Sequence, residues 1–229
     1  RLLFSAEAAV WAAGDLAAGG TVSALPTPPS AASLQYAAMA GTQNTNAPLK
    51  ADATAQGTSV TQASTPLREI VFVDLGIEGA DTLIADLQVQ QSQGRALDIV
   101  TIGANQDGIE VITQALAQAQ GPYGAVHIIS HGNAQGLSLG NTRLDLAALQ
   151  SRAQDVSAWG AALTGDADLM LYGCDLASGI DGRALIGDLS LLTGADVAAS
   201  TNLTGSSLLG GDWALEYQQG QIDTQALFG

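Results

Sequence analysis

Residues 125–132, AVHIISHG, and residues 167–174, ADLMLYGC, decide the fold. Each is a run of mostly apolar residues that stops abruptly on a glycine-containing pair, His131-Gly132 in one case and Gly173-Cys174 in the other. Apolar side chains at nearly every position, rather than at every second one, are what a strand covered on both faces requires, and such strands belong to parallel sheets. Working outward, Ile70–Leu75 closed by Gly76 and Leu97–Ile102 closed by Gly103 read as two earlier strands, and Asp196–Ser200 as a later one. Between them lie helix-compatible segments over 80–92 (inner face Leu83, Ile84, Leu87), 108–119 (Ile109, Ile112, Leu116, Ala119), 146–163 and 181–193. Residues 137–144 read as a hairpin turning near Gly140-Asn141, and 213–217 as an edge strand. Strands alternating with helices predict an α/β domain over 67–229, with a mostly parallel sheet and helices on both faces.

The first third of the chain reads differently. Leu2, Leu3, Ala6, Ala9, Val10, Ala13 and Leu16 recur at helical spacing, so a short amphipathic helix is expected over 2–18, within an N-terminal motif spanning 1–20 that Gly19-Gly20 closes. Residues 21–66, rich in Ala, Ser, Thr, Gln, Asn and Pro, lack sustained periodicity and read as a flexible linker. The chain begins at Arg1 and is expected to be a fragment or a processed product. Residues 1–20 lack the basic and compact apolar regions of a signal peptide.

Lys+Arg is 7 against 22 Asp+Glu, a formal net charge of -15, and Lys50 is the sole lysine. A nucleic-acid partner is therefore not expected, because phosphate neutralisation needs basic side chains. Anionic membrane surfaces are disfavoured for the same reason, and no apolar run is long enough to insert in a bilayer. Aromatics are 4% of the chain, so the core must be built from Ala, Val, Ile and Leu. One cysteine, Cys174, and two histidines, His127 and His131, allow neither a disulfide framework nor a multi-thiolate or His-rich metal site. No metal and no cofactor is expected. The acidic, lysine-poor composition suits a secreted or bacterial surface protein.

Open α/β sheets bind ligands beyond the carboxyl ends of their strands. That edge collects Asp74, Gly103, Ser130-His131-Gly132, Gly173-Cys174-Asp175 and Ser200-Thr201. A thiol acts as a nucleophile in its thiolate form, which a neighbouring imidazole can generate. The expected roles are Cys174 as nucleophile, His131 as general acid and base, and the backbone N–H groups of Gly132 and Cys174 as an oxyanion site. Gly132 and Gly173 equally suit tight turns. His127, inside its strand, is expected to be structural with a satisfied ring nitrogen. Asp175 has three readings: a cap for the next helix, a hydrogen-bond acceptor in the site, or the wall of a pocket for a basic substrate side chain. Asp74, Ser200 and Thr201 are the other substrate-binding candidates, and the loop Thr201–Asp212 is expected to border the groove.

An apolar strand ending in His-Gly, followed by one ending in small-residue-Cys, resembles the caspase-like cysteine peptidases. The separation of His131 and Cys174 is near the roughly 50 residues of caspase-type dyads. The chain lacks their Gln-Ala-Cys signature, so caspase preference for aspartate does not carry over. A closer resemblance is to DUF4347, a domain found near the N-termini of very large bacterial surface and adhesin-like proteins. The matching segments are HIISHGNAQGLSLGN (127–141), DLMLYGCDLASG (168–179), TGADVAASTNLTG (193–205) and GGDWALE (210–216), and RLLFSAE (1–7) is similar to the end of a motif preceding that domain.

The resemblance implies a caspase-like cysteine endopeptidase that processes its own polypeptide or a neighbouring surface protein. The alternative is a non-catalytic caspase-like module that anchors or presents a surface protein. A third reading is an acyl-transfer or ligand-sensing domain using the same edge. Inositol hexakisphosphate, which activates some related toxin domains, is not expected to bind so acidic a chain.

Overall fold

A computed structural model describes residues 67–228. The helix expected over 2–18 and the linker over 21–66 lie outside the described residues. Strand β1 (Glu69–Asp74) is followed by helix α1 (Ala80–Ser92), β2 (Leu97–Ile102), α2 (Gly108–Ala117) and β3 (Tyr123–Ile129). Three short strands come next, β4 (Gly132–Asn133), β5 (Gly136–Leu139) and β6 (Thr142–Asp145), and pair antiparallel in a small separate sheet. The main sheet resumes with α3 (Leu146–Trp159), β7 (Leu163–Tyr172), α4 (Ile180–Thr193), β8 (Asp196–Ala199) and β9 (Tyr217–Gln219). Its strand order is β2-β1-β3-β7-β8-β9, parallel throughout except for β9. The architecture is α/β with a mostly parallel six-stranded sheet flanked by helices on both faces.

The apolar strands sort by parity, as the pleat demands. Ile70, Phe72, Val126, Ile128, Leu169 and Leu171 face one side, where they meet Ile109 and Ile112 of α2, Val156 and Trp159 of α3, and Leu185, Ile186 and Leu189 of α4. Val71, Val73, Ile129, Met170 and Tyr172 face the other, against Leu87 of α1 and Leu227 near the carboxyl end. Each fully buried Ile or Leu contributes about 1.5–3 kcal/mol. Asp107 and Asp145 start α2 and α3 by accepting the N–H groups of Glu110 and Ala148, at 3.1 and 2.9 Å.

Three expectations need correction. The edge strand is Tyr217–Gln219, not 213–217, because Trp213 turns onto the sheet face. It packs edge-on to Tyr172, with 5.9 Å between ring centroids, and lies 4.5 Å from Phe228. The helix expected to reach 163 stops at Trp159, and a 3-10 turn over Gly160–Ala162 leads into β7. A Cβ at Gly160 would collide with the Thr193 carbonyl oxygen, so α3 and α4 meet here backbone to backbone. Finally, β7 begins at Leu163 rather than Ala167, with an exposed polar lead through Gly165 and Asp166. No described helix is long and apolar enough to cross a membrane.

Candidate active site

Strands β3 and β7 are parallel neighbours, and Ile129 and Tyr172 are their last register partners. The Ser130 N–H extends the pairing to the Tyr172 carbonyl at 3.1 Å. His131 and Cys174 therefore each leave the sheet two residues past the same pair, at the same carboxyl edge. The segments that carry them touch through backbone. A Cβ on Gly132 would lie 2.7 Å from the Gly173 carbonyl carbon and 3.0 Å from the Cys174 nitrogen, and one on Gly173 would collide with Leu137 Cδ2. Only glycine allows this approach. His131 is exposed and Cys174 half-buried.

The small sheet fixes the histidine side. The His131 carbonyl accepts the Ser138 N–H at 2.8 Å, which makes Gly132–Leu137 the non-hydrogen-bonded pair of the β4–β5 ladder. The Gly132 N–H consequently points away from β5. Among the described residues the Cys174 N–H makes no hydrogen bond. These are the two backbone donors an oxyanion would need at this edge.

Asp74 and Ser200, expected to line the groove, are instead buried at 4% and 0% exposure. Asp74 accepts the N–H groups of Gly76 at 2.7 Å and Gly140 at 2.8 Å, tying the end of β1 to the turn of the β5–β6 hairpin. The Ser130 hydroxyl lies beside it and donates to the Ser138 carbonyl. Ser200 Oγ is engaged with Asn202. Thr201 is tied through its N–H and hydroxyl to Glu216 Oε2, at 2.8 and 3.1 Å. Asp175 does not cap α4, whose N-cap is Gly179. It sits in the left-handed region at φ 56, its N–H bonded to the Asn202 carbonyl at 2.7 Å, and its carboxylate has no hydrogen-bond partner among the described residues. A non-glycine residue held there stores strain of order 1 kcal/mol, of the kind that collects at working sites.

Sequence reading missed Thr204. Its N–H lies 3.4 Å and its carbonyl 3.7 Å from Cys174 Sγ, so the 201–212 loop brackets the sulfur. Asn202 holds that loop by donating to Asp212 Oδ2 at 3.1 Å and Glu216 Oε1 at 2.9 Å. The segments TNLTG and GGDWALE carry all of these residues; the sequence marked both segments through the resemblance and the loop as bordering the groove, but not Thr204 itself.

His127 is distant in role from Cys174. It is fully buried, stacks on Tyr172 at 6.0 Å, and its Nε2 lies 2.8 Å from Glu69 Oε2. Burial pushes the imidazole below its ordinary range despite the pull of Glu69. Burial pushes Glu69 up, but hydrogen bonds from His127 and Arg95, with the charge of Arg95, outweigh it and hold the carboxyl at about 2. The ring nitrogen facing ionised Glu69 carries the proton, so Nδ1, which has no partner among the described residues, is a bare acceptor. Among the described residues no three His, Cys, Asp or Glu side chains converge on a point that could hold a metal ion.

The sequence profile of a domain of unknown function, DUF4347, matches residues 70–229. The chain belongs to the DUF4347 family. No curated protein matches it in sequence. The DUF4347 match covers the main sheet from the second residue of β1 onward and both glycine-flanked strand ends.

Proposed function

We propose that this DUF4347 domain is a caspase-like cysteine endopeptidase of a large secreted or surface protein. It would cut its own polypeptide or a neighbouring surface protein. The observation that carries the reading is the shared edge: His131 and Cys174 emerge from register-paired strands, with Gly132 and Gly173 in backbone contact. His131 takes the Cys174 proton as the thiolate attacks the scissile carbonyl, and the N–H groups of Gly132 and Cys174 receive the oxyanion. The imidazolium then protonates the leaving amine, and water, deprotonated by the same ring, releases the acyl group from sulfur. Asp175, adjacent to the nucleophile with its carboxylate unpaired, supports a basic side chain on the acyl side of the cut. Thr204 must move off the sulfur before a substrate carbonyl can approach.

The bracketing of Sγ by Thr204 also supports a second reading, in which the fold is a non-catalytic module. A longer precursor, expressed as wild type, Cys174→Ala and His131→Ala, separates the two. Intact mass and N-terminal sequencing should show processing in the wild type only, with each variant slower by at least about a hundredfold. Equal cutting of all three, or none in any, removes the peptidase reading.

A further inference from the structure

The Cys174 sulfur is engaged away from His131. Both of its side-chain hydrogen bonds among the described residues go to Thr204, the N–H at 3.4 Å and the carbonyl at 3.7 Å. A thiol donates to that carbonyl and a thiolate accepts from that N–H, so one residue occupies the sulfur in either protonation state. Thr204 is held there by polar ties. Exposed Glu216 takes the Thr201 N–H and hydroxyl on Oε2 and the Asn202 amide on Oε1. Across the base of the loop the Gly205 N–H donates to the Asp212 carbonyl at 2.8 Å, and the Asp212 N–H to the Leu203 carbonyl at 3.0 Å. Little apolar burial adds to these ties, since Leu203, Leu208 and Leu209 are exposed at 51%, 95% and 82%. The Thr204 hydroxyl is meanwhile buried with no partner among the described residues. A buried, unpaired hydroxyl opposes the closed arrangement, because it regains hydrogen bonds once it reaches water. A loop with few apolar contacts, solvent-exposed hydrogen bonds and an unpaired polar group belongs to the low end of local stability.

We propose that the 201–212 loop is an autoinhibitory lid over Cys174, latched by Glu216. Closed, the lid keeps the sulfur on Thr204. Open, it frees Sγ for His131 and for a substrate carbonyl, and it gives the Thr204 hydroxyl to water. The inference rests on the peptidase reading, in that the group the lid restrains is the nucleophile of that reading. Two features of the lid oppose each other. The hydrogen bonds at the Glu216 carboxylate hold it shut, and the orphaned Thr204 hydroxyl loosens it. Substitutions at the two places therefore move the opening equilibrium in opposite directions.

Cys174 is the only cysteine of the chain, so alkylation of the full chain by iodoacetamide, followed by intact mass, reads the lid at one atom. Glu216→Ala, at an exposed position, should speed alkylation about tenfold by removing the latch. Thr204→Val, which puts a methyl group in place of the unpaired hydroxyl, should slow it about fivefold. Amide exchange at Gly205 and Asp212 does not depend on the charge near the sulfur, and it should rank the three proteins in the same order. In the wild type those two amides should exchange at least about a hundredfold faster than Val126 and Ile128 in β3, and alkylation should stay constant in urea below the unfolding transition, as local opening requires. None of these readouts needs His131 or peptide cleavage. The lid can therefore fail while the precursor is still processed, and the precursor can stay uncut while the lid stands. Failure of either variant to move alkylation and exchange in its stated direction overturns the lid. So does alkylation that rises with urea in step with exchange at Val126 and Ile128, because the sulfur would then be reached only by unfolding.

Discussion

Glu69 accepts from two partners at once: Arg95, through both carboxylate oxygens, and the buried His127 ring. Both members of the Glu69–His127 pair make stability depend on pH in the same direction. His127 has a folded pKa below its unfolded value of about 6.5, so the unfolded chain takes up the proton first and stability falls as pH drops below that value. Glu69, held at about 2 against 4.5 unfolded, contributes stability that is complete above 4.5 and is lost as pH falls towards 2. That contribution is on the order of 2 kcal/mol at neutral pH. The urea midpoint should therefore fall continuously from pH 7 to pH 3. His127→Gln should flatten the upper part of this profile, between about pH 6.5 and 5, and shrink the lower part without abolishing it, because Arg95 still holds Glu69. A wild-type midpoint constant between pH 7 and 5 would show that His127 is not held neutral. At this scale sequence reading was uneven. His131 and Cys174 stood out because each closes an apolar run. Asp74 and Ser200 looked equally available, but Asp74 is turned inward by the distant Gly140, which nothing local could reveal, and Ser200 is buried with its hydroxyl held by Asn202.

Helix α4 holds the Cys174 loop through its first turn. The Gly182 N–H donates to the Ala134 carbonyl at 2.9 Å, and a Cβ at Gly182 would collide with the Leu176 carbonyl oxygen. Gly187, five residues further along the same helix, has no atom within 4 Å of where its Cβ would lie. The two positions thus separate helix propensity from packing. Gly187→Ala should be neutral or stabilise by up to about 1 kcal/mol. Gly182→Ala should destabilise by about 2–3 kcal/mol despite the same gain in propensity, because the loop backbone must give way. It should also speed the reaction of Cys174 with a thiol reagent, as the loop shifts. Similar midpoints for the two variants would deny the close contact. Elements of this kind were legible wherever one period dominated: the strands from 69 to 102 and α2 sit where their apolar residues put them. The two-residue β4 went unread because its pairing depends on Ser138 binding back to His131.

The two faces of the sheet are covered unequally, three helices on one and α1 alone on the other, and the carboxyl-terminal segment makes up the difference. Ile222, Leu227 and Phe228 pack on the α1 face with Trp213 and Leu215. Polar anchors hold the segment's backbone: Asp168 Oδ2 takes the N–H groups of Asp223 and Thr224, Tyr172 Oη takes that of Leu227 at 3.1 Å, and Gln90 donates to the Leu227 carbonyl at 2.8 Å. Burial pushes the Tyr172 phenol up to about 12, so it stays a neutral hydrogen-bonding group at physiological pH. These anchors span sequence separations of 55 to 137 residues, which is why a segment with no hydrophobic period gave no sign of its role. Truncation after Gly220 should destabilise the domain by about 3–5 kcal/mol, from the lost burial of Leu227 and Phe228 and the freed polar groups of the sheet. The truncated protein should bind a hydrophobic dye on the uncovered face. Leu227→Ala, which keeps every backbone anchor, should cost about 2–3 kcal/mol by itself. If truncation moves the midpoint no further than that single substitution does, the hydrogen-bonded anchors contribute nothing net. The segment would then stay in place by apolar contact alone.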